Sequence, residues 1–359
     1  MKRITSVIFM LAIHIALIAQ DIEIESTPIE ATDNEKEIVY YSLEDALKKP
    51  EKVFILRMRK ENLLKIPQTI GQLKSITFLD LTSNKISKLS DNFSNLKYLE
   101  SFFLVDNKFT EFPDFSSTNN HLKTLGLSLN ELKTIPESIT NLKALMYLNI
   151  SSNNIDSITE NIGDLYNTLY WVELGYNELS SLPDSFGKLK NLYALELDHN
   201  KFTTLPSFIG DLKKLERLVV NDNQLTSLPK SIGNLNELKQ LDLENNQLSS
   251  LPNTIGYLEK LDALVLKNNT LTSLPESIGR LNNLRRLYLN DNKIEKLPST
   301  IAYLEKLLIL DLSNNNLASV SKQIKNVKFL KELILTGNPI SDEEKGILKK
   351  ALPNCLIKY

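Results

Sequence analysis

Residues 232–255 read IGNLNELKQLDLENNQLSSLPNTI, and their arrangement around Asn246 decides the architecture. Counted from Asn246, apolar residues stand at −14, −11, −8, −5, −3, +2 and +5 (Ile232, Leu235, Leu238, Leu241, Leu243, Leu248, Leu251), with Pro252 at +6. Leu241 and Leu243 alternate with polar neighbours, the period-two pattern of a strand with one buried face. The turn that follows has backbone groups no sheet can pair, and the Asn246 amide carries the donors and the acceptor to satisfy them. Pro252 imposes an extended or turn conformation and excludes a helix running through it. Ile255 and Leu258 then open a helical or irregular segment that returns over the core.

Working outward, the same unit fills most of the 359-residue chain. Asparagines recur at 84, 107, 130, 153, 177, 200, 223, 246, 269, 292, 315 and 338, every step being 23 residues except the 24 between 153 and 177. One such unit cannot close its own apolar face, so stability must come from stacking on its neighbours. The +6 proline is replaced by Ser90, Thr159 and Ser321, the extra residue lies in 164–171, and FSSTNNH (115–121) stands in place of one apolar return segment. These departures read either as neutral variation on a tolerant face or as a local partner site.

The pattern LxxLxLxxNxLxxLPxxI resembles that of the leucine-rich repeat family over about residues 55–340. A thirteenth unit, FILRMRKENLLKIP (54–67), precedes the twelve and carries Glu61 where the others have asparagine. With no earlier turn to bond, an amide has less to do there and a carboxylate is tolerable. The resemblance implies an α/β solenoid: a curved leucine-rich repeat horseshoe with a parallel concave β-sheet and short helical or irregular convex segments. At ~4.8 Å between strands, thirteen strands span roughly 60 Å. It also implies caps at both ends. Residues 40–54 offer Ser42 as N-cap of a short helix, and 341–359 offer a helix from about Ser341 to Leu352 followed by an extended Cys355–Tyr359 segment. Cysteine-knit caps are absent, which favours a bacterial-type protein.

Upstream of the caps, residues 1–20 (MKRITSVIFMLAIHIALIAQ) have a basic start and an apolar run of secretory length, shorter than a spanning helix. They read as a cleaved signal or, alternatively, an uncleaved anchor; cleavage leaves no stable membrane span. Residues 21–39 form an acidic spacer, with seven acids against Lys36 in 21–37. The expectation is export to a periplasm, the cell surface or the medium.

Composition narrows the function. The 42 Lys+Arg against 44 Asp+Glu supply no basic excess for a nucleic-acid partner. A single cysteine, Cys355, excludes an internal disulfide framework and reads as a buried cap residue. The three histidines (His14, His121, His199) share no predicted neighbourhood, and the glycines at 163, 187, 210, 233, 256 and 279 follow the repeat rather than a phosphate loop. No catalytic residue, metal site or cofactor is expected, and the chain reads as a non-enzyme. Its repeats and caps account for 40–359, leaving no segment there for a fused ligase or kinase domain.

Side chains at −6, −4 and −2 from each asparagine are expected to point out of the concave sheet. The N-terminal half of that surface is aromatic (Phe78, Phe103, Tyr147, Trp171). The middle is acidic (Glu173, Glu196, Asp198, Asp242, Glu244, with Asp222 beside it). The C-terminal half mixes Arg217, Lys267 and Arg286 with Tyr288 and aliphatic residues. Exposed Trp, Tyr and Arg on a rigid sheet resemble interface anchors, although scattered surface aromatics need no special account. The acids suit a basic partner or a cation, or are simply solvated. The expected function is a binding scaffold for a protein or peptide of unknown identity. The alternative is a glycan, with Tyr147 and Trp171 stacking on sugar rings.

Overall fold

The computed structural model describes residues 38–115, 121–320, 324 and 326–359; the expected signal, nearly all of the acidic spacer, residues 116–120 and Ser321 lie outside them. Each repeat opens with a three-residue strand whose central side chain faces inward. In Gln240–Asp242 that residue is Leu241, fully buried between half-exposed neighbours. The register is uniform: Leu218, Leu241, Leu264 and Leu287 are lateral partners in successive strands. The result is a fifteen-stranded, wholly parallel sheet in sequence order. It is longer than the thirteen expected because both caps add a strand: Val39–Tyr40 pairs with Ile55–Leu56, and Leu356–Lys358 pairs with Glu332–Ile334.

Behind the sheet, the leucine and isoleucine positions of every repeat merge into one apolar core running the length of the solenoid. At about 2 kcal/mol for each such side chain taken out of water, this stacking is the principal stabilising term.

The asparagines form a ladder that ties each repeat to the one before. Asn246 Oδ1 accepts from the Leu225 backbone N–H at 2.9 Å, and its Nδ2 donates to the carbonyls of Val220, Leu243 and Glu244. Asn107, Asn177 and Asn315 repeat the arrangement. The bonds run backward, so the first unit needs none: the Glu61 backbone N–H instead donates to Asn84 Oδ1. Each residue preceding a ladder asparagine is left-handed, from Ser83 (φ 57°) to Asn314 (φ 53°), which is why Asn and Asp recur there.

The return segments are 3-10 turns, most of them entered through the repeat proline. Pro252 (φ −68°, ψ 147°) caps Asn253–Tyr257, and Ile255 within that turn is fully buried. The repeat-spaced glycines sit where successive returns touch: a Cβ on Gly233 would lie 2.3 Å from the Thr254 carbonyl oxygen. Where Thr159 replaces proline, its backbone N–H donates to the Ile135 carbonyl at 2.8 Å. A second, two-stranded sheet (Thr134–Ile135 with Ser157–Ile158) forms there, a bond proline could not make.

A helix with a serine N-cap stands near each end of the described chain. Helix α1 (Leu43–Ala46) has Ser42 accepting from the Asp45 N–H, and α2 (Asp342–Ala351) has Ser341 accepting from the Glu344 N–H. Cys355 is half-buried rather than buried, because it leads into the edge strand Leu356–Lys358, which has a neighbour on one side only.

Candidate functional site

The outward residues of the three-residue strands make the concave face, and its aromatic end is not the row of free anchors that the columns suggest. Phe103 and Tyr147 are 4% and 7% exposed. Phe103 lies 5.4 Å from Phe78 and over Gly126, where a Cβ would fall 2.8 Å from the ring. Side chains of neighbouring strands, ~4.8 Å apart, cover one another when both are large, and a glycine next door lets a ring lie flat. Phe78 in turn carries the Arg57 guanidinium 5.2 Å from its centroid. Tyr147 is covered by Trp171, whose ring meets it edge-on at 6.0 Å. Tyr147 is therefore no stacking platform for a sugar, whereas Trp171 stays half-exposed. The Trp171 Nε1 is buried and has no hydrogen-bond partner among the described residues.

Tyr147, Trp171 and Glu173 form one unit with Asn149, an outward residue the sequence reading passed over. The Tyr147 hydroxyl donates to Glu173 Oε1 at 2.8 Å, and Asn149 Nδ2 donates to Oε2 at 2.5 Å. Asn149 is itself oriented by the backbone N–H and hydroxyl of Ser151. Burial, reinforced by the lateral partner Glu196, pushes the Glu173 carboxyl up to about 7; the Tyr147 hydrogen bond opposes them. Burial and then the Glu173 charge raise the Tyr147 phenol, so it remains a donor.

The rest of the middle is knitted along the sheet. Arg217 Nε donates to Glu196 Oε1 at 2.9 Å, and its Nη1 reaches Gln240 Oε1. Asp242 accepts from the Glu244 backbone N–H, and burial raises its carboxyl despite that bond. Glu244 pairs with Lys267 at 2.7 Å. Asp198 lies 3.2 Å from His199 Nδ1, while Asp222 Oδ2 is 3.5 Å from Nε2. His199 is a left-handed turn residue stacked on Tyr176 at 3.8 Å.

The predicted residues thus form three groups, the first being Phe78 with Phe103. Tyr147 to Glu244 is one continuous patch of lateral contacts; Arg286, paired with Asp262 at 2.6 Å, and half-buried Tyr288 belong to the C-terminal repeats apart from it. A further charged element at the N-terminal end went unread: Arg59 Nε donates to the fully buried Asp80 carboxylate at 2.5 Å. Its signal was present, since Arg59 and Asp80 occupy outward columns.

Among the described residues no three His, Cys, Asp or Glu side chains are grouped to hold a metal ion, and no helix is long and apolar enough to cross a membrane. Chemically the patch offers a tryptophan face, carboxylates and a guanidinium at fixed positions, which suits recognition.

The sequence model described as "Leucine rich repeat" matches residues 99–155, 190–248, 245–294 and 282–340, together more than half of the chain. No curated protein sequence matches. Among solved structures, a leucine-rich repeat protein of Leptospira interrogans is 32% identical, with 90% of this chain and all of that one covered and a TM-score of 0.56. The plant peptide hormone receptor RGFR1 in complex with RGF2 is 27% identical over 80% of this chain, which spans about half (52%) of that receptor, with a TM-score of 0.67. An internalin of Listeria monocytogenes, 21% identical with 87% of this chain and 88% of that one covered, shares the fold at a TM-score of 0.60.

Proposed function

The chain belongs to the leucine-rich repeat family, and from that premise we propose that it is an exported, non-catalytic scaffold that docks a protein or peptide on its concave face. The observation that carries this reading is the patch from Trp171 to Glu244. A half-exposed tryptophan stands beside carboxylates whose positions are fixed by Tyr147, Asn149 and Arg217 before any partner arrives. Side chains already held in one geometry lose little entropy on binding, the main cost a rigid surface avoids. The centre of the patch is acidic, so the partner presents basic groups there and an apolar or aromatic one to Trp171. Export rests on the basic-then-apolar start of the sequence, and a peptide-binding role is in keeping with the plant receptor complex.

The test is cross-linked affinity capture with the chain from residue 21 onward, beside two variants: Trp171→Ala and the double change Glu196→Gln/Asp198→Asn. Tyr147 is excluded because its truncation would disturb the fold. Recovery of one partner by the native chain and its loss from both variants supports the reading. Equal recovery by all three would sink it.

A further inference from the structure

On the convex side, three consecutive 3-10 turns, Asn253–Tyr257, Glu276–Arg280 and Ser299–Tyr303, end on the eleventh residue after a ladder asparagine. That column elsewhere holds short polar or basic residues such as Asn95, Asn141, Asp211 and Asn234. Here it holds Tyr257, Arg280 and Tyr303. The two tyrosines are 51% and 63% exposed. They border a surface cavity of about 450 Å³ that is also lined by Asn253, Glu276, Arg280 and Thr300. Its volume lies in the range of small-ligand sites.

The charges in this cavity are held apart. Glu276 and Arg280 are four residues apart on one turn, yet they form no ion pair with each other. The Glu276 carboxylate is turned toward the next repeat, where it accepts from the Ser299 N–H (3.4 Å), the Ser299 hydroxyl (3.2 Å) and the Thr300 N–H (3.2 Å). The Arg280 guanidinium lies 5.9 Å from the Tyr257 centroid. A carboxylate anchored to the next repeat and a planar guanidinium lying over Tyr257 therefore line one cavity between two phenol rings.

Charge and polarity select the ligand. An anion would meet Glu276, a cation would meet Arg280, and an apolar ligand would strip water from both without replacing their hydrogen bonds. A neutral molecule with adjacent hydroxyls can donate to the carboxylate and accept from the guanidinium at once. If it also has an apolar C–H face, that face can lie on a tyrosine ring. We propose that this convex cavity is a carbohydrate-binding site for a neutral pyranose, with Glu276 and Arg280 bridged by neighbouring ring hydroxyls and Tyr303 as the stacking platform. It is independent of the concave face, so the chain can hold a sugar on one side and a protein or peptide on the other.

The test is calorimetric titration of the native chain with cellotriose, maltotriose and chitotriose. At least one trisaccharide is expected to bind saturably at about millimolar strength. Tyr303→Ala and Arg280→Gln should each weaken it about tenfold or more. Both side chains are exposed, so an unchanged melting temperature will show that the fold is intact. Trp171→Ala on the concave face should leave sugar binding as it was. The site is refuted if none of the three sugars saturates, or if binding survives both convex substitutions.

Discussion

The Tyr147 hydroxyl donates to Glu173 Oε1 at 2.8 Å, joining the aromatic end of the concave face to its acidic middle across one strand boundary. The bond makes a buried tyrosine part of the surface chemistry without being part of the surface. It also separates the roles of the two aromatic neighbours. Tyr147→Phe should keep the packing and lose the donor, costing about 1–2 kcal/mol. Tyr147→Ala should cost about 3 kcal/mol or more by opening a cavity. Trp171→Ala, at a half-exposed site, should cost less than Tyr147→Ala. Urea unfolding of the three variants gives the order, and a costlier Trp171→Ala would contradict the assignment of Trp171 as the exposed member.

Glu173 predicts a pH dependence of definite sign. Its carboxyl is raised from 4.5 to about 7 in the folded chain, by burial and then by Glu196. Through that window the folded state holds a proton the unfolded state has lost, so stability falls as pH rises. The penalty is complete above about pH 7 and amounts to roughly 3 kcal/mol at most. Glu173→Gln removes the titration. Its melting temperature should therefore drop less than that of the native chain between about pH 5 and 8. Parallel curves for the two proteins over that range would show that Glu173 is not held in this way.

How far the fold was legible follows from what each position answers to. Leu241, Asn246 and Pro252 answer to the repeat itself, so a 23-residue period was enough to place strand, ladder and turn. Ser42 and Ser341 answer to local capping chemistry and were equally readable. Tyr147 and Phe103 depend instead on the size of side chains one strand away. An outward column therefore does not guarantee exposure: Trp171 covers Tyr147, and Gly126 lets Phe103 lie flat. The same lateral logic hid the second sheet, since the missing proline at Thr159 marks an irregular unit but does not reveal that the freed N–H reaches Ile135. The convex cavity combines three repeats, which a reading one unit at a time passes over.

The ladder amide carries a graded expectation. Asn246→Ala leaves the buried Leu225 N–H without its acceptor and takes one of two donors from each of three carbonyls, which keep Asn223, Asn269 and the Asp222 N–H, at a cost of about 1–3 kcal/mol. Glu61→Ala should cost little, because the bond at that turn is made by its backbone N–H to Asn84. Amide hydrogen exchange should show loss of protection at Leu225 in the first variant and none in the second at Leu63, whose N–H donates to Asn84 Oδ1 at 3.0 Å. Equal losses would mean that the ladder is not directional.

Thr159 reverses the usual advantage of matching a repeat to its own pattern. Restoring proline there removes the donor to Ile135 and the hydroxyl that accepts from the Asn161 N–H. Thr159→Pro should therefore destabilise by about 1 kcal/mol or more, although most other repeats carry proline at that place. A rise in the unfolding midpoint would show that the two-stranded sheet contributes nothing.

Gly233 and Gly346 make the sharpest internal contrast, because the same substitution should act with opposite sign. At Gly233 an added methyl would stand 2.3 Å from the Thr254 carbonyl oxygen and 2.8 Å from its Cβ. That neighbour is backbone of the next repeat and cannot swing aside, so the returns must separate. Gly233→Ala should cost about 1–3 kcal/mol. Gly346 lies inside helix α2 with nothing within 4 Å of an added Cβ. Gly346→Ala should gain about 1 kcal/mol from helix propensity alone. Thermal unfolding of both variants beside the native chain decides the matter. A neutral Gly233→Ala would mean the convex returns have slack, and the close stacking inferred for the whole solenoid would have to be relaxed.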